Sequence, residues 1–210
     1  MMHICTPQTP KLMQHQEDVI IHRNKRFEHI TYEGHHLAGR IFQNCTFFKC
    51  NLKGCTFEDS SFDKCLFDDC DISLMKMKDT SFSGIQVKNS KALGVMWLDA
   101  DAPFSIQFTD SRISFCSFYG KALKKVKFIN CIADEVDFSE CNLTEADFAG
   151  TDLRNARFFN TNLTKANFVG ATNYFIDIQS NKIAKAKFSL PEAISFLHAL
   201  GIELVEERGE

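Results

Sequence analysis

The sequence predicts an all-β solenoid, and two observations predict it. Bulky apolar residues recur at every fifth position through most of the chain, and a small residue stands two positions before nearly every one. In a helix, a five-residue step rotates the side chain by about 140° around the axis. In a strand, it places successive members of the row on opposite faces. Neither element can therefore bury the whole row on one side. A coil that turns a corner at every repeat does bury it, and such coils stack into a solenoid. The most regular part of the row is Phe138, Leu143, Phe148, Leu153, Phe158, Leu163 and Phe168.

The row resembles that of the pentapeptide-repeat family over roughly residues 27–188. The resemblance implies a right-handed quadrilateral β-helix, in which four repeats form one coil and the chain makes about eight coils. At the usual strand spacing of about 4.8 Å, such a stack is on the order of 35–40 Å long. Phe and Leu alternate in the regular part, which predicts that Phe lines two opposite faces and Leu the other two.

The register of the repeat divides the chain into segments. The row stops after Trp97 and restarts at Phe108, 11 positions later. Two repeats would take 10 positions, so we expect one inserted residue that bulges at a corner between two coils. The first coil is irregular, because Lys25, His35 and Arg40 stand at its small inward positions. The predicted segments are a flexible lead-in (1–18), N-terminal coils (19–97), a register break (98–107), C-terminal coils (108–188) and a C-terminal helix and tail (189–210).

Composition and motifs restrict the function classes. The 210 residues suit one domain, and a net charge of −3 argues against a general nucleic-acid binder. No apolar run is long enough to span a membrane and no secretory signal is visible, so we expect a cytoplasmic protein. Neither a phosphate-binding loop nor a hydrolase motif is present. We therefore expect neither enzyme activity nor a cofactor.

Eight of the nine cysteines fall at the small inward position of the repeat. Their five-residue spacing is that of the repeat, and free cysteine behaves as a small buried hydrophobe, which favours structural thiols over a zinc site. His35 and His36 adjoin Glu33, but a solvated pair is favoured over a metal site there too. The inward cysteines are Cys45, Cys50, Cys55, Cys65, Cys70, Cys116, Cys131 and Cys141.

The C-terminal segment predicts a short helix. Ser189 and Glu192 form a capping box, Pro191 fits the first turn, and Gly201 suits the stop. Apolar residues lie on more than one side of this helix, so one face can cap the solenoid while a second copy of the chain covers the rest. A short strand is expected over 202–205. The predicted dimer interface is Ile194, Phe196, Leu197, Leu200, Ile202 and Leu204.

The tail from Asn173 to Leu204 and the central LGVMW resemble the albicidin-resistance pentapeptide proteins, with the Qnr quinolone-resistance proteins a more distant comparison. The resemblance implies a homodimer joined at the C-terminal ends that binds DNA gyrase or topoisomerase IV and protects it from inhibitors. It also implies a rod whose acidic surface imitates a DNA duplex, with no direct contact to nucleic acid or membrane. The long projecting loops of several Qnr proteins have no counterpart in this chain. A structural rod that binds another protein, with no effect on gyrase, is the alternative.

Three sets of outward residues are candidates for contacting a partner, together with the break at 98–105. Acidic side chains can occupy a basic surface through electrostatic steering, and exposed aromatic rings are typical anchors of interfaces. A cluster of lysines is also present, but it is more simply explained as solvated side chains at the corners of the rod. The acids are Glu58, Asp59, Asp63, Asp68, Asp69 and Asp71, then Asp134, Glu135, Asp137, Glu140, Glu145 and Asp147. The aromatic residues are Phe48, Phe115, Tyr119 and Phe159, and the lysines are Lys121, Lys124, Lys125 and Lys127.

Overall fold

The computed structural model describes residues 19–203 and 205, and shows a stack of parallel coils. Phe27 pairs with Phe47 and Phe47 with Phe67, so one coil takes 20 residues, or four repeats. The strands are β1 (Ile20–Arg23), β2 (Arg26–Glu28), β3 (His36–Ala38), β4 (Arg40–Gln43), β5 (Thr46–Phe48), β6 (Thr56–Glu58), β7 (Ser61–Asp63), β8 (Leu66–Asp68), β9 (Lys76–Lys78), β10 (Ser81–Lys88), β11 (Asp101–Thr109), β12 (Phe128–Ile129), β13 (Asn167–Phe168) and β14 (Lys187–Phe188). The helices are two 3₁₀ turns, Trp97–Asp99 and Glu192–Ile194, and α1 (Ser195–Ala199).

The coils have four faces, which we name A to D by their inward central residues. Face A is centred on Phe27, Phe47, Phe67, Val87, Phe108, Phe128, Phe148, Phe168 and Phe188. Face B is centred on Leu52, Ile72, Ala92, Ile113, Ala133 and Leu153. Face C is centred on Leu37, Phe57, Met77, Trp97, Phe118, Phe138 and Phe158. Face D is centred on His22, Phe42, Phe62, Phe82, Phe104, Leu123, Leu143 and Leu163.

Phenylalanine rings stack as predicted in the C-terminal coils. Phe128 lies 5.2 Å from Phe148 on face A, and Phe118 lies 5.5 Å from Phe138 on the opposite face C. The two ladders meet edge to face across the core. Leucine lines face D as predicted, whereas face B carries Ile113, Ala133 and Leu153, so only one of its three central residues is leucine. The N-terminal coils differ, because their ladders stand on the adjacent faces A and D. There Phe47 stacks on Phe67, and Phe42 on Phe62, both at 4.7 Å.

Small polar residues at the inward positions join successive coils. The side chain of one coil accepts a hydrogen bond from the backbone N–H of the coil before it: Ser90 Oγ accepts from Cys70 N at 2.9 Å, and Thr151 Oγ1 from Cys131 N at 3.1 Å. These hydroxyls and thiols also donate to backbone carbonyls, as Thr151 does to Phe128 O at 2.6 Å. A buried amide that would otherwise lack a partner is thereby satisfied, which stabilises the stack.

The inward position of the cysteines is confirmed, because all eight within the described residues are buried. Burial raises the pKa of the Cys65, Cys116 and Cys131 thiols to about 12, so they remain protonated at neutral pH. A protonated, buried thiol donates weakly to carbonyls and is a poor nucleophile. In the first coil Lys25 and His35 are exposed and Arg40 is half-buried, consistent with an atypical end coil.

Regular corners of the rod contain one residue in the left-handed conformation, two positions after the central residue. Most are Asn, Asp, Gly or a solvated charged residue, and Asn and Asp tolerate positive φ better than other side chains with a Cβ. The repeat therefore selects residues that tolerate the backbone conformation at the corners, as well as residues that pack in the core. Leu74 and Phe115 are the exceptions to the preferred residue types, with φ of 56° and 62°.

The register break differs from the single bulged residue expected at a corner. Ser81 pairs with Asp101, but Phe82 pairs with Phe104, so β11 gains two residues along face D. At the next corner Ile85 pairs with Ile106, so one of these two is lost again. The net insertion is one residue, as counted from the sequence, and it lies in the strand. A cavity of about 240 Å³ opens there against residues 122–126 of the following coil.

The C-terminal helix is shorter than expected, and the predicted capping box is absent. The Oγ of Ser189 accepts from Gly170 N at 3.0 Å, so the last coil uses the group that was expected to cap the helix. The stop is confirmed, since Gly201 has a φ of 71° and the N–H of Ile202 donates to Leu197 O. No strand forms at 202–203 or 205, and the predicted interface residue Leu204 lies outside the described residues, as does the lead-in 1–18.

The two ends of the stack differ in what covers them. At the C-terminal end the ring of Phe196 packs on Phe188 at 4.6 Å and on Tyr174 at 6.0 Å. At the N-terminal end a cavity of about 250 Å³ exposes the apolar core around Phe27 and Leu37. Within the described part of the chain, no helix has the length and apolar character needed to cross a membrane.

Candidate interaction surface

The first group of acids, 58–71, is distributed around the whole circumference of the rod. Five residues advance the chain by one face, so acids that are close in sequence point in different directions. The structure therefore does not bring this group together as one surface. Glu58 lies on face C, Asp59 at the corner between C and D, Asp63 on D, Asp68 on A, Asp69 at the corner between A and B, and Asp71 on B.

Several of these acids have partners on neighbouring coils. Glu58 pairs with Lys78, and His36 Nε2 lies 2.9 Å from Glu58 Oε2. The hydrogen bond from Lys78 lowers the pKa of Glu58. Asp69 lies 3.9 Å from Lys49. Exposed pairs of this kind stabilise a protein by about 0–1 kcal/mol and are screened by salt, and they reduce the local negative charge.

The second group contains four acids on one side of a single coil, which we call the acid rim: Asp134, Glu135, Asp137 and Glu140. They run from face B across face C to the corner between C and D. Arg157 Nη2 lies 3.1 Å from Asp137 Oδ2, so this carboxylate is already paired. Glu145 and Asp147 follow on the next corner and on face A, away from the rim.

The four candidate aromatic residues have different environments. Tyr119 and Phe159 share face C two coils apart, as the ladder of bridges through Ser117, Asp137 and Arg157 shows. Tyr119, Phe159 and Phe115 are exposed. Phe48 on face A is only half-exposed, because the guanidinium of Arg26 and the ammonium of Lys49 lie over its ring.

Three exposed apolar residues complete a surface beside the acid rim: Leu74 and Met96, which were not candidates, and Leu98, the first residue of the predicted contact at 98–105. We call this the central patch: Leu74, Met96, Leu98, Phe115 and Tyr119. It covers three successive coils on face C and the corner between faces B and C. Their exposed fractions are 52, 40, 41, 52 and 46%, respectively. The register could have identified Leu74, Met96 and Leu98, since each stands at a corner or beside a central residue.

The patch is supported from beneath by the buried indole of Trp97, which lies just before the register break. Trp97 is 1% exposed and stacks on Phe118 at 6.2 Å, with Phe82 edge-on at 5.5 Å. Because side chains alternate along the chain, an inward Trp97 turns its neighbours Met96 and Leu98 outward. The N–H of Leu98 donates to Ser117 O, which fixes this segment on the coil that carries Tyr119.

The corners of the patch contain unfavourable residues. A left-handed conformation costs a residue with a Cβ roughly 1–2 kcal/mol, and the bulky side chains of Leu74 and Phe115 lack the polar group that helps Asn or Asp there. Gly94 lies between them, and a Cβ at that position would be 3.0 Å from Leu74 Cδ2. The side chain of Leu74 thus leans over Gly94 towards Phe115.

The acid rim adjoins the patch on its C-terminal side. The N–H of Phe115 donates to Asp134 O, and the N–H of Phe118 to Asp137 O. A hydrogen bond to Glu140 raises the pKa of Tyr119, so the phenol remains neutral beside the carboxylate. The surface as a whole is apolar at its centre and acidic along one border.

The predicted basic cluster does not form one surface. Lys121 turns to the register break, where its Nζ donates to Ala100 O at 2.5 Å and lies over the ring of Phe104. Lys125 pairs with Glu145 at 3.6 Å. The described residues hold no group of three or more His, Cys, Asp or Glu side chains placed to bind a metal ion.

Comparison with known families identifies the repeat. Models described as pentapeptide repeats match residues 42–86, with nine copies, and residues 123–158 and 141–172, with eight copies. The chain belongs to the pentapeptide-repeat family. The predicted right-handed quadrilateral β-helix of about eight turns is confirmed. A search of curated proteins gives no significant match.

Solved pentapeptide-repeat structures share the fold at low sequence identity. A trypsin-treated variant of QnrB1, a plasmid-mediated fluoroquinolone resistance protein, is 18% identical, with a TM-score of 0.59 over 88% of this chain and 100% of that one. HetL, which is involved in heterocyst differentiation regulation in the cyanobacterium Nostoc sp. strain PCC 7120, is 12% identical, with a TM-score of 0.54 over 80% and 84%. The predicted closeness to albicidin-resistance proteins stays a prediction.

Proposed function

We propose that this pentapeptide-repeat rod binds DNA gyrase or topoisomerase IV and protects the enzyme from quinolone- or albicidin-type inhibitors. The observation that carries the proposal is the acid rim beside the central patch, on a rod that matches the whole chain of a fluoroquinolone resistance protein. A topoisomerase binds DNA through a basic surface, and a rod with clustered carboxylates is complementary to it.

Charge-reversing variants of the acid rim test whether negative charge on this side of the rod contributes to binding. We expect Asp134→Lys, Glu135→Lys, Asp137→Lys and Glu140→Lys together to weaken binding to purified gyrase, most strongly at low salt, because the attraction between the surfaces is lost. The matched control reverses Asp63, Asp68 and Asp69, which lie on the other faces, and should change the affinity less. Equal affinities of both folded variants and the wild type would contradict a role for the rim.

The protecting activity is tested by gyrase supercoiling with this protein titrated in, with and without a quinolone or albicidin. Rescue of the poisoned enzyme is the expected result, because the rod competes for the surface on which the poisoned DNA complex forms. Inhibition of supercoiling without rescue would support binding and contradict protection. No effect at high protein concentration would overturn the proposal and favour the alternative, a rod for another protein partner.

We also propose that two copies join at their C-terminal ends. Leu197, Leu200 and Ile202 are exposed there. Burying such residues against a second copy is favourable by roughly 25 cal/mol for each Å² removed from water.

Leu197→Arg tests this dimer, because its side chain is exposed and its replacement leaves the packing of Phe196 intact. We expect monomers in light scattering, since a charge would be buried without a partner. Val169→Arg, on face A, is the control and should remain dimeric. A Leu197→Arg variant that remains a dimer would place the interface elsewhere.

A further inference from the structure

The central patch contains two side chains that the fold itself does not need. Regular corners of the rod turn through residues such as Gly, Asn and Asp, and any of these would serve at positions 74 and 115. Leu74 and Phe115 are strained, half-exposed and pack no core, so neither stability nor solubility explains them. Strained residues that persist on a surface point to a function that requires their side chains.

We propose that the central patch is the anchor of the partner interface, and that the acid rim only guides the partner to it. This inference rests on the proposed function, because it names the feature of the topoisomerase that the rod recognises. The partner surface inserts an apolar side chain between Leu98 and Phe115, and it places Lys or Arg residues against the rim.

Charge and geometry favour a protein surface of this kind over a purely electrostatic imitation of DNA. The rim lies on one side of the patch only, so a cationic partner is held with its apolar side chain over face C. Asp137 is already paired with Arg157 at 3.1 Å, which reduces what it can contribute to a partner. Apolar contacts are insensitive to screening by salt, whereas exposed charge pairs are weakened by it.

The patch is also rigid before a partner binds. Its five side chains stand on successive turns of a hydrogen-bonded stack, with Trp97 fixed beneath. An anchor of this kind is pre-organised, so little conformational entropy is lost when the partner binds. Tyr119 adds a polar edge, since its phenol hydrogen-bonds to Glu140 of the rim.

The test uses the full chain, purified gyrase and the variant Phe115→Gly. Glycine removes the ring and relieves the left-handed strain, so the thermal midpoint should equal or exceed that of the wild type. The affinity for gyrase should fall at least tenfold. Lys165→Gly relieves a similar corner, with a φ of 60°, far from the patch, and should keep the wild-type affinity. Leu98→Ser, at an outward position of regular φ, should weaken binding in the same way.

The salt dependence of the affinity for gyrase distinguishes the contribution of the central patch from that of the acid rim. Raising the salt concentration should weaken wild-type binding towards a plateau that Phe115→Gly lacks, whereas the charge-reversed rim should bind like the wild type at high salt. If Phe115→Gly and Leu98→Ser bind gyrase within twofold of the wild type while the rim variant does not, the anchor is overturned and the proposed function stands. If the wild-type rod does not bind gyrase at any salt concentration, both are overturned.

Discussion

The two halves of the rod place their stacked phenylalanine rings on different pairs of faces. Before the register break the phenylalanine ladders stand on adjacent faces, A and D, and Phe42 meets Phe47 edge to face at 5.3 Å. After it they stand on opposite faces, A and C, and Phe128 meets Phe138 edge to face at 5.2 Å. The repeat rule fixes which residues point inward, but it does not fix which faces receive the large rings.

The change from one arrangement to the other needs a junction, and Trp97 is that junction. Its ring lies edge-on to Phe82, in the last part of the face D ladder, and stacks on Phe118, at the beginning of the face C ladder. Just beyond, the chain gains two residues between Asp101 and Phe104 and loses one at the next corner. The central patch lies directly above this junction. Packing in the core and the exposed surface are thus connected at one place.

Removing the junction should have the largest effect on stability. We expect Trp97→Ala to lower the free energy of unfolding by about 3–5 kcal/mol, because the indole is fully buried and neither ladder can fill its space. Urea unfolding followed by circular dichroism measures this. Trp97→Phe is the control, since it retains a ring between Phe82 and Phe118. A loss below about 1 kcal/mol for Trp97→Ala would contradict the role of Trp97.

Moving a ring to the wrong face should have a smaller effect. In the C-terminal coils face D is lined by leucine, so Leu143→Phe adds a ring where the ladders of faces A and C already fill the core. We expect a loss of about 1–3 kcal/mol from overpacking. Position 62 on the same face of the N-terminal coils carries a ring natively, and Phe62→Leu is the matched reverse change. A fully tolerated Leu143→Phe would contradict the view that face D of the C-terminal coils has no room for a ring.

Effects no larger than this are expected at the inward positions before face B that join successive coils. Thr151→Ala removes the acceptor of the buried Cys131 N–H and should lower the free energy of unfolding by about 1–3 kcal/mol. Cys70→Ala, in the N-terminal half, removes a sulfur acceptor 3.4 Å from Cys50 N and should lower it by less. Thermal unfolding of both variants measures the difference. An equal loss would mean that thiols and hydroxyls join the coils equally well.

Much of the fold could be predicted from the sequence because the repeat determines it locally. The inward row and the buried cysteines follow from position in the repeat, whereas the coil of four repeats was implied by the resemblance to the pentapeptide-repeat family. With four repeats to a coil, the alternation of large and small centres after the break places Phe on opposite faces. The form of the break could not be predicted, since two residues gained on face D and one lost at the next corner give the same net count as a single inserted residue. The capping box failed because Ser189 serves the preceding coil instead of the helix.

The candidate surface was predicted less completely, because closeness in sequence is a poor guide to direction on a rod. The acids from Glu58 to Asp71 cluster in the sequence and point to all sides in the structure. Phe115 and Tyr119 were identified by their outward positions and Leu98 only as part of the break at 98–105, whereas Leu74 and Met96 were overlooked. Apolar residues at outward positions within a few coils were the signal available in the sequence.

Hydrogen exchange of the rod with and without bound gyrase locates the contact without any substitution. We expect amides at 94–98 and 115–119 to exchange more slowly in the complex, together with those of the acid rim at 134–140. Amides at 61–69 should be unaffected on the faces away from the patch. Unchanged exchange at 94–98 and 115–119 in a stable complex would contradict the account and place the partner elsewhere on the rod.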